Sequence, residues 1–361
     1  MTTFNLGLST IPSIQSPTNW AYESLYDISS KLLDHLTTIH NLLTIQRSLK
    51  TYGKTPQLRE LVEKSFEAAG VTFSNEGIIE TARKFFNWVK EKLVQLKDWF
   101  VGLFTSSKKK SEKIDEMSKA TAEIDAAINS NDKGRLRAAY DRFKGWFKRK
   151  GTPSEESLAL SMDPSTEGLT EFFRIFRMTI YDPVELRKSI DIVMPLFDVS
   201  LPGVWEMFKA SGLEPERFGS VNMTSRVGEL TKRAEFDIQN FKLPQKVDVT
   251  YSGIRAVYVR DVGLPNLAKK FISKQEDVAK MLELAEIQMP WAIKQLEHAT
   301  VTNDDTLMNT IKNLRAIISF STKMISLSDK IVNVIYEIHT KLMNAMLNAC
   351  GRVLESVPTL G

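Results

Sequence analysis

The apolar residues of this chain recur every three or four positions over most of its length, which is the spacing of one face of an α-helix. A first stretch of this kind runs from Tyr22 to Leu43. A second follows residue 77, and its apolar side chains alternate steps of three and four residues: Phe86, Val89, Leu93, Leu96, Phe100 and Leu103. The same periodicity returns after residue 168 and continues to about Leu354. The pattern therefore predicts a mainly α, multi-helix protein.

One short region departs from the helical pattern. The residues from Lys246 to Tyr251 alternate polar with β-branched or aromatic side chains, as a strand does. A Ser-Gly pair follows at 252–253, and a second apolar run extends from Ile254 to Val259. Because Ser-Gly is a turn signal between strands, these residues predict one small β-hairpin at about 246–260.

Composition and charge divide the chain into segments. Its 361 residues are 42% hydrophobic and 25% charged, which is typical of a globular protein and excludes disorder over the whole chain. The net charge of +4 is unevenly spread: residues 1–76 carry −1, residues 77–151 carry +8 and the remainder carries −3. We therefore predict an N-terminal helical region (1–76), a basic amphipathic region (77–151), a linker rich in Pro, Ser and Glu (152–167) and a C-terminal helical domain (168–361).

Motifs that could carry catalysis are incomplete. The Gly-Lys-Thr sequence at 53–55 resembles the end of a phosphate-binding loop, but the glycine that such a loop needs five positions earlier is Ser48. The chain has four histidines, and His35 and His40 are five residues apart rather than the four that would place two metal ligands on one helical face. The sequence therefore predicts a non-enzymatic protein with no catalytic residues, no cofactor and no metal.

Two further side chains have a structural and a chemical interpretation. His339 lies near apolar positions such as Leu342, so we expect a core or boundary histidine rather than a base. Cys350 is the one cysteine, which permits no internal disulfide, and we expect it to be a small buried hydrophobic residue. An enzyme whose site is assembled in space around His298 or His339 is the alternative that the sequence leaves open.

The basic region 77–151 holds 18 basic and 10 acidic side chains, with aromatic residues interleaved among them. Clustered cations gain affinity for phosphate by releasing counterions, and aromatic rings can stack on bases or enter a membrane interface. The candidate DNA-contacting residues are Arg135, Arg137, Arg142, Lys144, Lys148, Arg149 and Lys150. No base-reading motif accompanies them, so contact with double-stranded DNA is expected to be independent of sequence. The alternative is that the aromatic stripe packs inward and leaves a solvated basic face.

The sequence Ser-x-Glu-Gly occurs twice, at residues 74–77 and 165–168. Both copies lie at junctions between the predicted segments, since the first opens the basic region and the second closes the linker. Exposed polar junctions are accessible to proteases. The candidate cleavage positions are Glu76, Gly77, Glu167 and Gly168. The alternative is that both serines are helix N-caps, each followed by an acidic residue that the helix dipole favours.

The first Ser-x-Glu-Gly is followed directly by an aromatic, lysine-rich amphipathic helix from Ile78 to Phe100, and this combination resembles internal head and other virion structural proteins of large tailed bacteriophages. In that family a maturation protease cuts after a Ser-x-Glu-type site and removes an N-terminal propeptide that directs the protein into the capsid. The resemblance implies that residues 1–76 are a propeptide, with Glu76 as the first candidate cleavage position and Glu167 as the second. The partners would be other virion proteins, the maturation protease and packaged double-stranded DNA, all inside the capsid.

The sequence does not predict insertion into a membrane. The first 12 residues lack a basic stretch and a continuous apolar stretch, and no window of about 18 residues is apolar and free of charge. We therefore expect synthesis in the host cytoplasm. The alternative function is a membrane-active or ejected protein that uses the helix at 77–104 in a membrane interface.

Overall fold

The part of the chain that the structure describes is almost entirely helical. The structure is a computed structural model, and it describes residues 20–51, 56, 60, 75–146, 168–210, 215–220, 224–298 and 304–355. Within these ranges it consists of α-helices, two short helical turns of other types and one antiparallel pair of strands. The predicted mainly α fold with a small antiparallel β element is therefore confirmed.

The helices are numbered in chain order. They are α1 (Trp20–Thr51), α2 (Asn75–Asn129), α3 (Lys133–Phe143), α4 (Leu169–Ile175), α5 (Pro183–Pro195), α6 (Leu201–Ala210), α7 (Pro215–Ser220), α8 (Thr224–Asn240), α9 (Tyr251–Tyr258), α10 (Gly263–His298) and α11 (Asp304–Glu355). The strands are β1 (Arg177–Tyr181) and β2 (Lys246–Thr250). A 3₁₀ turn (Lys144–Trp146) follows α3, and a π-helical turn (Leu196–Ser200) joins α5 to α6.

The chain forms two compact units, each assembled from non-consecutive stretches. Unit 1 comprises Met1–Gly102, Asp198–Glu235 and Asp277–Ser326, and unit 2 comprises Leu103–Phe197, Phe236–Glu276 and Leu327–Gly361. The long helices α2, α10 and α11 each contribute residues to both units. The predicted segments 1–76, 77–151 and 168–361 were defined by charge and by the candidate cleavage positions, not by packing. The two units do not test them, so these segments stay predictions. The predicted linker, 152–167, lies outside the described residues.

In unit 1, α2 is held by the apolar stripe that the sequence pattern indicates. The fully buried side chains of this stripe are Phe86, Val89, Leu93, Leu96 and Phe100. Their steps of three and four residues place them on one face of the helix, which points into the interior. Lys84 and Lys90 lie on exposed positions of the same helix. The inward packing of the stripe is therefore confirmed, and a membrane-interface role would require this face to leave the interior of unit 1.

In unit 2, α2 and α11 run parallel to each other. Side-chain contacts join Ser107 to Asp329, Lys110 to Asn333, Met117 to Thr340 and Thr121 to Met343. The two residues of each contact are 222 or 223 positions apart in the sequence. A constant separation means that both helices advance in the same direction. Polar side chains therefore line part of the interior of this unit.

The strand predicted from Lys246 is present, but its partner is not the one that the sequence pattern indicates. β2 pairs antiparallel with β1, so that Tyr181 lies opposite Lys246 and Arg177 lies opposite Thr250. The predicted second arm of the hairpin, 254–259, is helical as far as Tyr258, because these residues belong to α9. The placement of the second strand at 254–259 was therefore wrong.

The physical reason is that the apolar residues after β2 fit the helical period. Tyr251, Ile254 and Tyr258 are buried at steps of three and four residues, which is one face of a helix. Thr250 caps this helix, since its Oγ1 accepts a hydrogen bond from the backbone N–H of Gly253 at 3.3 Å. The Ser-Gly pair therefore lies in the first turn of α9 and does not join two strands.

Candidate functional site

The candidate DNA interface is the basic helix α3 of unit 2. Asp132 caps this helix by accepting a hydrogen bond from the backbone N–H of Arg135 at 2.9 Å. Leu136, Ala139 and Phe143 are buried on one face of it. The predicted DNA-contacting residues that the structure describes, all of them exposed, are Arg135, Arg137, Arg142 and Lys144. The other three, Lys148, Arg149 and Lys150, lie outside the described residues.

The four described basic residues differ in how they are held. Arg142 Nη1 forms an ion pair with Glu123 Oε2 of α2 at 2.9 Å, and Lys144 pairs with Asp141 one turn earlier. Arg135 and Arg137 form no ion pair within 4 Å in the part of the chain that the structure describes. Exposed ion pairs contribute only about 0–1 kcal/mol, so a phosphate can compete for Arg142 and Lys144. Arg135 requires no such exchange, and Arg137 is attracted to Asp141 over a longer distance.

The lysine run at 108–110 divides between solvent and interior. Lys108 and Lys109 are exposed. Lys110 turns inward, where its Nζ donates a hydrogen bond to Asn333 Oδ1 at 2.6 Å and lies 3.9 Å from Asp329 Oδ1. Burial lowers the pKa of Lys110. One of these three adjacent lysines is therefore half-buried and engaged by side chains of α11.

The candidate cleavage positions lie near helix starts. α2 begins at Asn75, so the backbone of Glu76 and Gly77 is in its first turn. Gly168 is exposed, has an extended backbone and stands directly before α4. Glu167 lies outside the described residues, as do both serines of the two Ser-x-Glu-Gly sequences. The alternative that these serines are N-caps therefore stays a prediction.

A buried carboxylate in unit 2 links α2 to α9. Asp125 accepts hydrogen bonds from Tyr251 Oη at 3.1 Å and from Asn129 Nδ2 at 3.0 Å, and it forms an ion pair with Arg255. Burial raises the pKa of Asp125, while Arg255 and the hydrogen bonds oppose this shift. Because the partners of the carboxylate are all side chains of the fold, the cluster positions α9 against α2.

A second buried carboxylate, Asp329, lies between α2 and α11. It accepts hydrogen bonds from Ser107 Oγ at 3.2 Å and from Asn333 Nδ2 at 2.8 Å. Its side chain is almost completely buried, and burial raises its pKa to about 6. Lys110 is at the outer limit of an ion pair and donates to Asn333 instead, so it does little to hold the carboxylate in its charged form. Asp329 is therefore a buried group that titrates in the mildly acidic range.

His339 is the core histidine that the sequence pattern indicates. It is buried, its Nδ1 is 2.9 Å from the Ile335 carbonyl oxygen, and its ring lies 5.0 Å from that of Tyr258 between centroids. Burial lowers the pKa of His339 to about 4. Its Nε2 has no hydrogen-bond partner among the described residues. The imidazole is therefore neutral above mildly acidic pH.

Cys350 is buried as expected, and burial raises the pKa of its thiol to about 12. The thiolate form that nucleophilic chemistry requires is therefore strongly disfavoured. No group of three or more His, Cys, Asp or Glu side chains in the described ranges is arranged to hold a metal ion.

Sequence reasoning missed both buried carboxylate clusters. The partners of Asp125 and Asp329 in other helices lie 126 and 222 positions away along the chain. No local spacing connects such residues. A charged residue at an apolar position of a helical pattern can indicate that the residue is buried. It does not indicate which residue it contacts.

Comparisons with protein-family models, with curated proteins and with solved structures gave no match. Among the described helices, none combines the length and the apolar character needed to cross a membrane.

Proposed function

We propose that this chain is a non-enzymatic structural protein of a bacteriophage particle, located inside the capsid and matured by proteolysis. The observation that carries the proposal is the repeated Ser-x-Glu-Gly, which precedes or opens a helix at both of its positions, α2 and α4. Other virion proteins, the maturation protease and packaged double-stranded DNA are the proposed partners.

The local structure at both positions is compatible with cleavage. The first turn of a helix has backbone N–H groups without intrahelical partners and opens more easily than the middle. A cut after Glu76 would therefore disturb only the start of α2, whose buried stripe begins several residues later. At the second position, the exposed and extended Gly168 needs no helix to open.

Processing predicts a defined N-terminus. In native particles the protein should begin at Gly77, and peptides spanning Glu76-Gly77 should be scarce. Mass spectrometry of purified particles measures both quantities. A Glu76→Gln variant should stay uncut, because the protease class implied by the resemblance recognises the Ser-x-Glu sequence. Spanning peptides at full abundance in mature particles would contradict the processing proposal.

The basic helix α3 supports the proposed contact with DNA. One face of α3 is buried in unit 2, and its arginines lie on the exposed part of the helix. The positive charges therefore face solvent on a helix that is anchored in unit 2. Such an arrangement neutralises phosphates without reading base edges. The interaction should therefore depend steeply on salt and weakly on DNA sequence.

Arg135 and Arg137 give the sharpest test of this contact. In the full chain, an Arg135→Gln/Arg137→Gln double variant should lower the slope of log affinity against log salt by about 2, because each phosphate contact contributes about 0.9. Fluorescence anisotropy of a labelled duplex at several salt concentrations measures the slope.

A charge-matched control removes two exposed basic residues elsewhere. An Arg226→Gln/Lys232→Gln double variant in α8 of unit 1 changes the net charge by the same amount and should leave the slope unchanged. Equal losses in both double variants would mean that net charge alone drives binding, and a flat slope in the unmodified chain would remove the DNA contact.

A further inference from the structure

In unit 1, helix α1 covers parts of α2 and α11. The buried residues of α1 recur at steps of three and four: Ser29, Leu32, Leu36, Ile39 and Leu43. Toward α2, the ring of His35 stacks on Trp88 with the centroids 3.9 Å apart. Toward α11, Ser29 Oγ is 3.1 Å from Thr322 Oγ1. The helix therefore lies against two neighbours through one continuous face.

The direction of α1 along α11 follows from one contact and one electrostatic interaction. Ser29 meets Thr322, whereas His40, further along α1, lies within range of the positive charges of Lys312 and Arg315, which are earlier in α11. Residue numbers rise on one helix as they fall on the other, so the two helices are antiparallel.

Thr322, the residue of α11 that meets Ser29 of α1, belongs to a polar row. Steps of three and four along the helix from Thr322 connect this row, which we call the polar stripe: Lys312, Arg315, Ser319, Thr322 and Ser326. From Thr306 to Ser328 the sequence contains no Asp or Glu. The polar stripe, which α1 meets at Thr322, therefore combines two cations with three hydroxyl groups and has no acidic side chain.

Both helices carry buried polar atoms that are unpaired. His40 Nε2, Arg315 Nε and Ser326 Oγ are buried and have no hydrogen-bond partner among the described residues. Burial lowers the pKa of His40, and the positive charges of Lys312 and Arg315 lower it further. Buried polar groups without partners cost free energy. The polar stripe is therefore better matched to an anionic partner than to α1.

We propose that α1 is a separable cover over the polar stripe, and that cutting the chain between α1 and α2 frees the stripe to bind the phosphate backbone of double-stranded DNA. Charge complementarity assigns the partner, because the stripe carries two cations and no acidic side chain. The covalent link supports the cover in the uncut chain, since it makes docking of α1 an intramolecular step. Once the chain is cut, docking of α1 depends on the concentration of free fragments.

The natural trigger rests on the proposed function, since a cut after Glu76 would sever α1 from α2. The test does not. A recognition sequence for a site-specific protease is inserted after Gly53 in the full chain, and the chain is cut in vitro. Gel filtration at micromolar protein then measures whether the fragment that carries α1 separates, and anisotropy of a labelled duplex measures binding before and after the cut.

We expect the α1 fragment to separate and the cut protein to bind duplex DNA more tightly, with a salt slope steeper by about 2. A Lys312→Gln/Arg315→Gln double variant should lose this gain while binding like the unmodified chain before the cut. Lys323→Gln is a single-charge control on the same helix, because Lys323 pairs with Glu235 and lies off the polar stripe. That variant should keep the gain.

Four results would overturn the proposal. They are co-elution of the α1 fragment at micromolar concentration, unfolding of the remaining protein after the cut, equal DNA affinity before and after it, and a gain that survives the double variant. If the cover proposal fails but the protein in native particles begins at Gly77, the proposed processing still holds. An uncut N-terminus in particles would remove the natural trigger and leave the cover itself unaffected.

Discussion

From about pH 6.5 to about pH 4.5, a His339→Gln variant should become more stable as the pH falls, whereas an Asp329→Asn variant should become less stable. Each change should reach about 2 kcal/mol across this range, since a shift of one pKa unit corresponds to about 1.4 kcal/mol. The unmodified protein should show a much flatter profile, because these two buried groups act in opposite directions.

The sign for Asp329 follows from its raised pKa. Burial raises the pKa from 3.8 to about 6, so between these values the folded protein binds a proton that the unfolded chain does not. Stability then increases as the pH falls from about 6 toward 3.8. In the His339→Gln variant, the contribution of Asp329 is no longer opposed by that of His339.

The sign for His339 is the reverse. Burial lowers its pKa from 6.5 to about 4, so between these values the unfolded chain binds a proton that the folded protein does not. Stability then decreases as the pH falls from about 6.5 toward 4. In the Asp329→Asn variant this loss is no longer compensated.

Urea denaturation at a series of pH values measures these profiles through the free energy of unfolding. The double variant is the control, and its profile should return to that of the unmodified protein. Other buried titrating groups, such as His40 and Asp125, are common to all four proteins and cancel in the comparison. Profiles of the two single variants that run parallel would contradict the assignment.

Gly219→Ala should destabilise the protein by about 3 kcal/mol, the upper part of the usual range for forcing an extra methyl group into a packed interior. Gly219 is in α7 and lies against α11 in unit 1. A Cβ at this position would fall well inside van der Waals contact of the Thr306 carbonyl oxygen and of the side chains of Thr306 and Thr310. Because one of these neighbours is backbone, the clash cannot be relieved by rotating a side chain.

The matched control makes the same chemical change in α8. A Cβ at Gly228 meets no other atom within 4 Å, and alanine favours a helix over glycine by roughly 0.5–1 kcal/mol. Gly228→Ala should therefore leave stability unchanged or raise it. Thermal and urea denaturation of both variants measure the difference, and equal stabilities would show that α7 can move away from α11 at little cost.

The inward stripe of α2 could be predicted because its information is local. Steps of three and four residues from Phe86 to Phe100 define one helical face whatever the rest of the chain does, and the structure buries that face. The same locality explains the solvent-facing positions of Arg135 and Arg137 in α3, which alternate with a buried face of the same helix.

The pairing of β2 could not be predicted because its partner is remote. Thr179 in β1 and Asp248 in β2 are 69 positions apart, and five-residue strands carry little signal of their own. The run after β2 contains β-branched and aromatic residues that fit a strand by type, but their burial spacing fits a helix. Packing of Tyr251 against Phe173, with ring centroids 5.9 Å apart, favours the helical choice.

The sequence by itself therefore determined the helical class, the apolar faces of the helices, the strand at β2 and the uneven distribution of charge. Tertiary structure decided which polar groups are covered: Lys110 turns inward while Lys109 does not, Asp329 is buried beside Ser107, and α1 lies on the polar stripe of α11. The physical reason is that helical periodicity arises from backbone geometry within a few residues. The burial of a charge or hydroxyl depends on a neighbouring helix that lies far away in the sequence.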